Sequence, residues 1–172
     1  MYRVSSVLFI CILLVLLPFF PLAGTAQASY FAEEYEGVYV VINKAVNKLD
    51  VYLNDHKIYS FPIATGKNKD QTPEGKFQIS NKVKNPWYIP KDIPGGSPEN
   101  PLGTRWLGIN VPETNGYKYG IHGTNQPWSI GGYQSQGCIR MHNKDVEWLF
   151  NHIPIGTDVI IIDEPIGKRK SP

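Results

Sequence analysis

Leu49, Val51 and Leu53 alternate with polar neighbours, and this two-residue period most limits what the chain can fold into. Successive side chains of a strand point to opposite faces, so such a run buries one face of a sheet and wets the other. Val38-Tyr39-Val40-Val41-Ile42 stands before it as a β-branched run. Asn54-Asp55-His56-Lys57 supplies a turn and Ile58 to Ala64 returns, so a hairpin is expected. Shorter β-like runs lie at Lys76–Ser80, Trp106–Val111, Tyr117–His122 and Thr157–Asp163. One segment has a helical period instead: Val146, Leu149, Phe150 and Ile153 fall on one face. Asn143 is placed to cap this helix, Asp145 and Glu147 suit its first turn, and Pro154 with Gly156 ends it. The expected fold is mainly β with one main helix. Between Asn81 and Gly103 proline and glycine are dense around Trp87 and Tyr88, which marks a long irregular loop, either functional or mobile.

The first residues follow another logic. Arg3 gives a short positive region, and an apolar stretch from Val7 to Leu22 is interrupted only by Pro18 and Pro21. Ala26-Gln27-Ala28 then has the small-x-small form of a signal peptidase site, so residues 1–28 are expected to be a cleaved signal peptide. The alternative is an uncleaved membrane anchor, which the prolines and small residues disfavour. On either reading the protein works outside the cytoplasm, secreted to a cell wall or periplasm. What remains is one domain of about 140 residues, expected over 36–164, with a basic solvated tail at 165–172. Seventeen Lys and Arg against fifteen Asp and Glu leave no basic tract for nucleic acid. A monomer is expected, in contact with a membrane only if the first segment is retained.

Cys11 lies within the segment to be removed, which leaves Cys138 as the lone thiol of an exported chain. Keeping a thiol unpaired in an oxidising compartment has a chemical reason, and the flanking Gly137 and Arg140 suit a nucleophile. A nucleophilic thiolate needs a base or a cation beside it. His56 falls in the hairpin turn, His152 near the helix end and His142 at the approach to the helix. His122 ends a β-like run and enters Gly123-Thr124-Asn125, where a loop can present it. Two readings of His122 stand: the base for Cys138, or a satisfied core residue. Gly137 and Cys138 offer adjacent backbone N–H groups for an oxyanion. Arg140 suits either the capture of a carboxylate or an ion pair with Asp145. With cationic His122 nearby, the thiol pKa is expected to be low.

His122-Gly123-Thr124, followed by Ser135-Gln136-Gly137-Cys138-Ile139-Arg140-Met141 and Asn143, resembles the signature of the L,D-transpeptidase catalytic domain (the YkuD type). Ala64-Thr65-Gly66-Lys67 with Thr72-Pro73-Glu74-Gly75-Lys76-Phe77, and Asn100-Pro101-Leu102-Gly103, resemble further blocks of that family. Asp145 to Ile162 resembles its closing helix and strand, so the likeness runs from about Val38 to Asp163. The resemblance implies a β-sandwich or barrel-like domain that acts on peptidoglycan stem peptides, with a role in cell wall biogenesis and cell shape. It implies Cys138 as the nucleophile and His122 as its base. It also implies the Gly123 carbonyl as the group orienting the imidazole, Gly137 and Cys138 as the oxyanion site, and Arg140 as a holder of donor or site geometry. Gln136 stands where some members carry a second histidine. Acylation by carbapenem-type β-lactams is a further expectation of the family.

Ser135, Trp87 and Tyr133 are candidate substrate contacts, with Tyr88 and Trp128 beside them; core packing or a surface lid is the plainer alternative for the aromatics. No cofactor or metal is expected. A zinc site from His122, Cys138 and His142 is a rival that lacks the usual ligand spacing. A non-catalytic wall-binding module is another, and it has no use for Cys138. The acyl-enzyme could pass to an amine, to water, to a free D-amino acid or to a protein, and the motif is common to all four.

Overall fold

The computed structural model describes residues 37–165, so the signal segment and all but the first residue of the basic tail lie outside the described residues. Ten strands and one α-helix follow in order. They are β1 Val38–Asn43, β2 Lys48–Leu53, β3 His56–Pro62, β4 Thr65–Gly66, β5 Gly75–Lys84, β6 Arg105–Ile109, β7 Gly120–His122, β8 Tyr133–Ser135, β9 Ile139–Arg140, α1 Asn143–His152 and β10 Asp158–Ile162. Eight strands form one sheet in the order β3-β2-β1-β10-β5-β6-β7-β9, and β4 pairs with β8.

The expected hairpin is β2–β3, and its turn is tighter than the sequence suggests. Asn54 and Asp55 both take positive φ (48° and 64°), and Leu53 pairs directly with His56. That is the two-residue turn whose twist matches the strands, and Asn and Asp tolerate it. β1 lies between β2 and β10. Its inward residues Val40 and Ile42 face Val51 and Leu49 on one side and Val159 and Ile161 on the other. All six are 0–2% exposed, so the β-branched run is buried where the sheet is most continuous.

β5 is longer than expected and joins the two halves of the sheet. Its first residues pair with β10 and its last with β6, with a register shift between Ile79 and Asn81. A bulge of this kind bends a strand and increases its twist. The sheet therefore curls until its ends meet: beyond β3, Ala64 exchanges backbone hydrogen bonds of 2.9 and 2.8 Å with Arg140 of β9. Helix α1 lies against β6 and β7 and buries Val146 and Leu149 in the common core.

Two local expectations change. Asn143 is the first residue of α1 rather than its cap; His142 holds the cap position without a side-chain bond, because the Asn143 amide is engaged elsewhere. The long loop shortens to about residues 85–104, and it is stapled from within. Asn100 is 1% exposed and donates to the carbonyls of Pro86 (2.8 Å) and Pro94 (3.2 Å). No helix among the described residues is long and apolar enough to cross a membrane.

Candidate active site

Strand register brings the site together. In the parallel pairing of β7 and β9, Ile121 stands beside Ile139 and His122 beside Arg140, which puts Gly120 next to Cys138. In the antiparallel pairing of β6 and β7, Trp106 faces His122 and Gly108 faces Gly120. Residues two apart on a strand, and residues opposed across a pair, share a face. One face of this corner therefore carries a row of Trp106, His122 and Arg140, and beside it a row of Gly108, Gly120 and Cys138. The glycine row makes the space: a Cβ at Gly120 would lie 2.6 Å from the Trp106 ring, which stacks on His122 with centroids 5.7 Å apart.

His122 is 4% exposed, and its Nδ1 meets the Gly123 carbonyl at 2.6 Å. A carbonyl can only accept, so Nδ1 carries the hydrogen and Nε2 keeps its lone pair. Burial pushes the imidazole pKa down to about 4; the Gly123 carbonyl opposes this, the Arg140 cation adds to it, and the Leu102 carbonyl opposes it. At neutral pH the ring is thus an uncharged base.

The thiol does not follow the expectation of a low pKa. Cys138 as a residue is half-buried, but its sulfur is packed deeply enough that burial pushes the thiol above its ordinary range. A Gly120 backbone hydrogen bond and the Arg140 charge only partly offset that burial. The expectation assumed an imidazolium beside the sulfur, and the buried ring is neutral instead. The thiol donates to the Lys118 carbonyl at 3.5 Å rather than to the imidazole.

The turn that carries Cys138 is held from two sides. Ser135 donates through Oγ to the Cys138 carbonyl (2.6 Å) and accepts the Gly137 N–H (3.0 Å). Thr72 donates through Oγ1 to the Gly137 carbonyl (3.0 Å) and accepts the Gly66 N–H (3.0 Å). Gly137 has φ +132°, and a Cβ there would lie 2.4 Å from the Gln71 carbonyl oxygen, so only glycine fits. The expected oxyanion pair is therefore half-engaged. The Gly137 N–H is taken by Ser135, whereas the Cys138 N–H has no partner among the described residues.

A cavity of about 380 Å³ opens over this corner, with Cys138 in its wall and Trp87, Tyr88, Leu102, Trp106 and Tyr117 around it. Most of that wall comes from the long loop and from the approach to β7, while His122 and Cys138 sit at strand ends. Loops that carry apolar binding surface over a rigid sheet are a common plan for a substrate site.

The stretch 37–161 matches the family model described as the L,D-transpeptidase catalytic domain, YkuD. The chain belongs to this family. It is 51% identical over 126 residues to the putative L,D-transpeptidase YqjB of Bacillus subtilis, a match that covers 73% of this chain and 72% of that protein. It is 42% identical over 123 residues to the putative L,D-transpeptidase YkuD of the same organism, with 72% of this chain and 65% of that one covered. Among solved structures it resembles the Ldtfm–avibactam carbamoyl enzyme with a TM-score of 0.57 and 22% identity, over 76% of this chain and 50% of that one. The chain thus spans about half to three quarters of the length of these relatives.

Within this L,D-transpeptidase domain the expected residues do not all gather. Cys138, His122, the Gly123 carbonyl and Arg140 meet at one corner. Arg140 has no ion pair with Asp145 or any other acid among the described residues; it reaches Gln126 Oε1 at 3.5 Å, and its buried Nε has no partner. Trp87 and Tyr88 line the cavity that Cys138 also lines. Ser135 does not: it is 2% exposed and its hydroxyl is spent inside the turn, so it shapes the loop. Tyr133 stands elsewhere, donating to the Ala45 carbonyl at 3.1 Å beside a small cavity it shares with Lys44 and Thr72. Trp128 sits 79% exposed on a short 3-10 turn.

His142 lines a separate cavity with Thr124 and Lys144, so the rival zinc set is not assembled. No group of three His, Cys, Asp or Glu among the described residues is placed to hold an ion. Sequence reasoning missed Trp106, Gly120 and Thr72. Gly120 had a readable signal, a glycine two residues before the histidine on the same strand face; Thr72 had none, because its role depends on a contact far away in the chain.

Proposed function

We propose that this domain is a peptidoglycan L,D-transpeptidase with Cys138 as its nucleophile. The observation that carries the reading is a neutral, buried His122, held through Nδ1 by the Gly123 carbonyl on the same sheet face as Cys138. His122 Nε2 takes the thiol proton as sulfur attacks the carbonyl of the third stem residue. The oxyanion settles on the Cys138 N–H, joined by the Gly137 N–H once Ser135 releases it. The carbon–nitrogen bond to the terminal D-alanine breaks, and the imidazolium returns the proton to the leaving amine. A thioester remains. The side-chain amine of a second stem attacks it, gives its proton to His122 and leaves a 3→3 cross-link, while the thiolate recovers a proton from the ring.

Arg140 is the cation for a donor carboxylate, and its missing ion pair supports that role. The aromatic loop around Trp87 and Tyr88 holds the rest of the stem. Residues 1–28 direct export, and the domain works as a monomer on the wall. A covalent adduct with carbapenems is expected on Cys138; the relative noted above is described as a carbamoyl enzyme with avibactam, which fits an acylable site.

Incubation with purified tetrapeptide muropeptides, followed by mass spectrometry of protein and products, tests the reading. A Cys138 acyl adduct with release of D-alanine and appearance of a dimer is the expected result. Tripeptide alone indicates hydrolysis, and stem exchange with added D-amino acid indicates exchange. A folded protein that gives no adduct and no product overturns the proposal.

A further inference from the structure

Asn143 reads from sequence as a helix cap, yet its amide faces the catalytic corner. Its Oδ1 accepts the Thr124 N–H at 3.0 Å and the Thr104 N–H at 3.4 Å, and its Nδ2 donates to the Thr124 carbonyl at 3.1 Å. Two N–H groups can be met only by oxygen and one carbonyl only by the amide NH2, so these partners fix the orientation of the side chain. Glycines clear the space for it. A Cβ at Gly123 or at Gly103 would lie 2.1 or 2.2 Å from Oδ1.

The Thr124 N–H and the Gly123 C=O belong to one peptide group. That group accepts from His122 Nδ1 at its oxygen and donates to Asn143 at its nitrogen. We propose that Asn143 is a positioning residue for catalysis, acting through the Gly123–Thr124 peptide to fix the orientation and tautomer of His122. The inference rests on His122 being the base of the proposed reaction. An N–H that donates makes its own carbonyl a better acceptor, because hydrogen bonds in a chain polarise one another. Asn143 thereby does through a peptide plane what a carboxylate does directly in a Ser-His-Asp triad, without placing a negative charge beside the ring. Its second accepting bond, to Thr104, ties down the end of the long loop, whose Leu102 carbonyl also acts on His122.

The purified protein labelled with 15N-histidine tests this by NMR together with kinetics. In the wild type, His122 is expected as the Nδ1–H tautomer with a downfield Nδ1 proton. Asn143→Ala should shift that proton upfield and mix the tautomers. It should also lower kcat for tetrapeptide cleavage on the order of tenfold to a hundredfold, the range for losing the outer partner of a functional histidine. KM should stay within about twofold, since the substrate contacts are untouched. Asn143→Ser suits a helix start and removes the same amide, so it should show the same loss and provides a reading if the alanine variant does not fold. An Nε2–H tautomer in the wild type overturns the proposal. So does an unchanged Nδ1 proton in folded Asn143→Ala or Asn143→Ser, whatever the activity. A wild type that shows the tautomer and its loss in Asn143→Ala, but cleaves no stem peptide, keeps the relay and sinks the proposed reaction.

Discussion

The β3-β2-β1-β10 half of the sheet and the β6-β7-β9 half are built by opposite rules. In the first, apolar residues meet in register, with Val40 and Ile42 enclosed on both sides by side chains that are 0–2% exposed. In the second, the strands at the site are only Gly120–His122 and Ile139–Arg140, and their shared face carries an imidazole, a thiol and a guanidinium. Most of the buried polar atoms without partners among the described residues lie there too: Thr104 Oγ1, Arg105 Nε, Trp106 Nε1, Asn125 Oδ1 and Arg140 Nε, against Asp50 Oδ1 in the first half and Asn81 Oδ1 on β5. Such atoms cost free energy, whereas the first half buries apolar side chains on both sides of β1. The proposed chemistry thus sits where the strands are shortest.

The sharpest way to break this comparison is a pair of substitutions, one in each half. Cys138→Ala should abolish acylation and turnover altogether while costing only about 1 kcal/mol of stability, because it removes a single buried sulfur atom. Leu49→Ala should do the reverse. Leu49 is fully buried, and truncation there costs about 2–5 kcal/mol in transfer and cavity terms. Its kcat, measured where the variant is still folded, should match the wild type. Denaturant unfolding and single-turnover acylation of both variants provide the check, and a folded Leu49→Ala with lost kcat would erase the division between the halves.

These two residues also differ in how plainly the sequence reveals them. The scaffold half is legible because its signals are local: alternation along β2, β-branching in β1 and the Asn-Asp turn act within a few residues. Cys138 and His122 are legible as residue types in a familiar order. The pairing that joins them is not, since it depends on the parallel register of two very short strands. The raised thiol pKa departs from the sequence expectation for the same reason. Proximity to a histidine is a sequence-level inference, whereas the burial that keeps that histidine neutral arises from packing under Trp106. Ser135 and Asn143 show the limit from another side. Both are polar residues in a motif, and their hydroxyl and amide turn inward to the backbone rather than to substrate or helix end.

The charge state of the corner gives the next largest effect. His122 titrates at about 4 when folded and near 6.5 when unfolded. The unfolded chain therefore binds the proton first as pH falls, and stability is lost between about pH 6.5 and 4. A difference of that size corresponds to about 3 kcal/mol, with no discount for solvent because the ring is buried. Urea unfolding of the wild type across this window should steepen relative to His122→Gln, which lacks the titration; parallel curves would count against a buried neutral imidazole. The thiol acts on the alkaline side. Its raised pKa means the unfolded chain releases the proton first, so stability falls as pH climbs past the ordinary thiol value. Alkylation of Cys138 should correspondingly accelerate only above the usual thiol range, and a rate already at its plateau at neutral pH would restore the thiolate pair.

A charge on the scaffold half should matter far less. Lys76 and Asp158 pair at 2.7 Å across β5 and β10, with side chains 66% and 33% exposed. The Lys76 hydrogen bond holds the Asp158 carboxyl below its ordinary range; slight burial opposes this, and a Gln78 hydrogen bond assists it. A carboxylate lowered in this way stabilises the fold above its unfolded pKa and loses that contribution as pH falls through the folded one. Water and salt screen so open a pair, so Asp158→Asn should cost less than about 1 kcal/mol at neutral pH, and less again in high salt. Unfolding of the single variants and of the double variant with Lys76→Met, at low and high salt, isolates the pair. A coupling that exceeds about 1 kcal/mol and resists salt would mean that charge is held as tightly here as at the catalytic corner, and the contrast between the halves would then rest on packing alone.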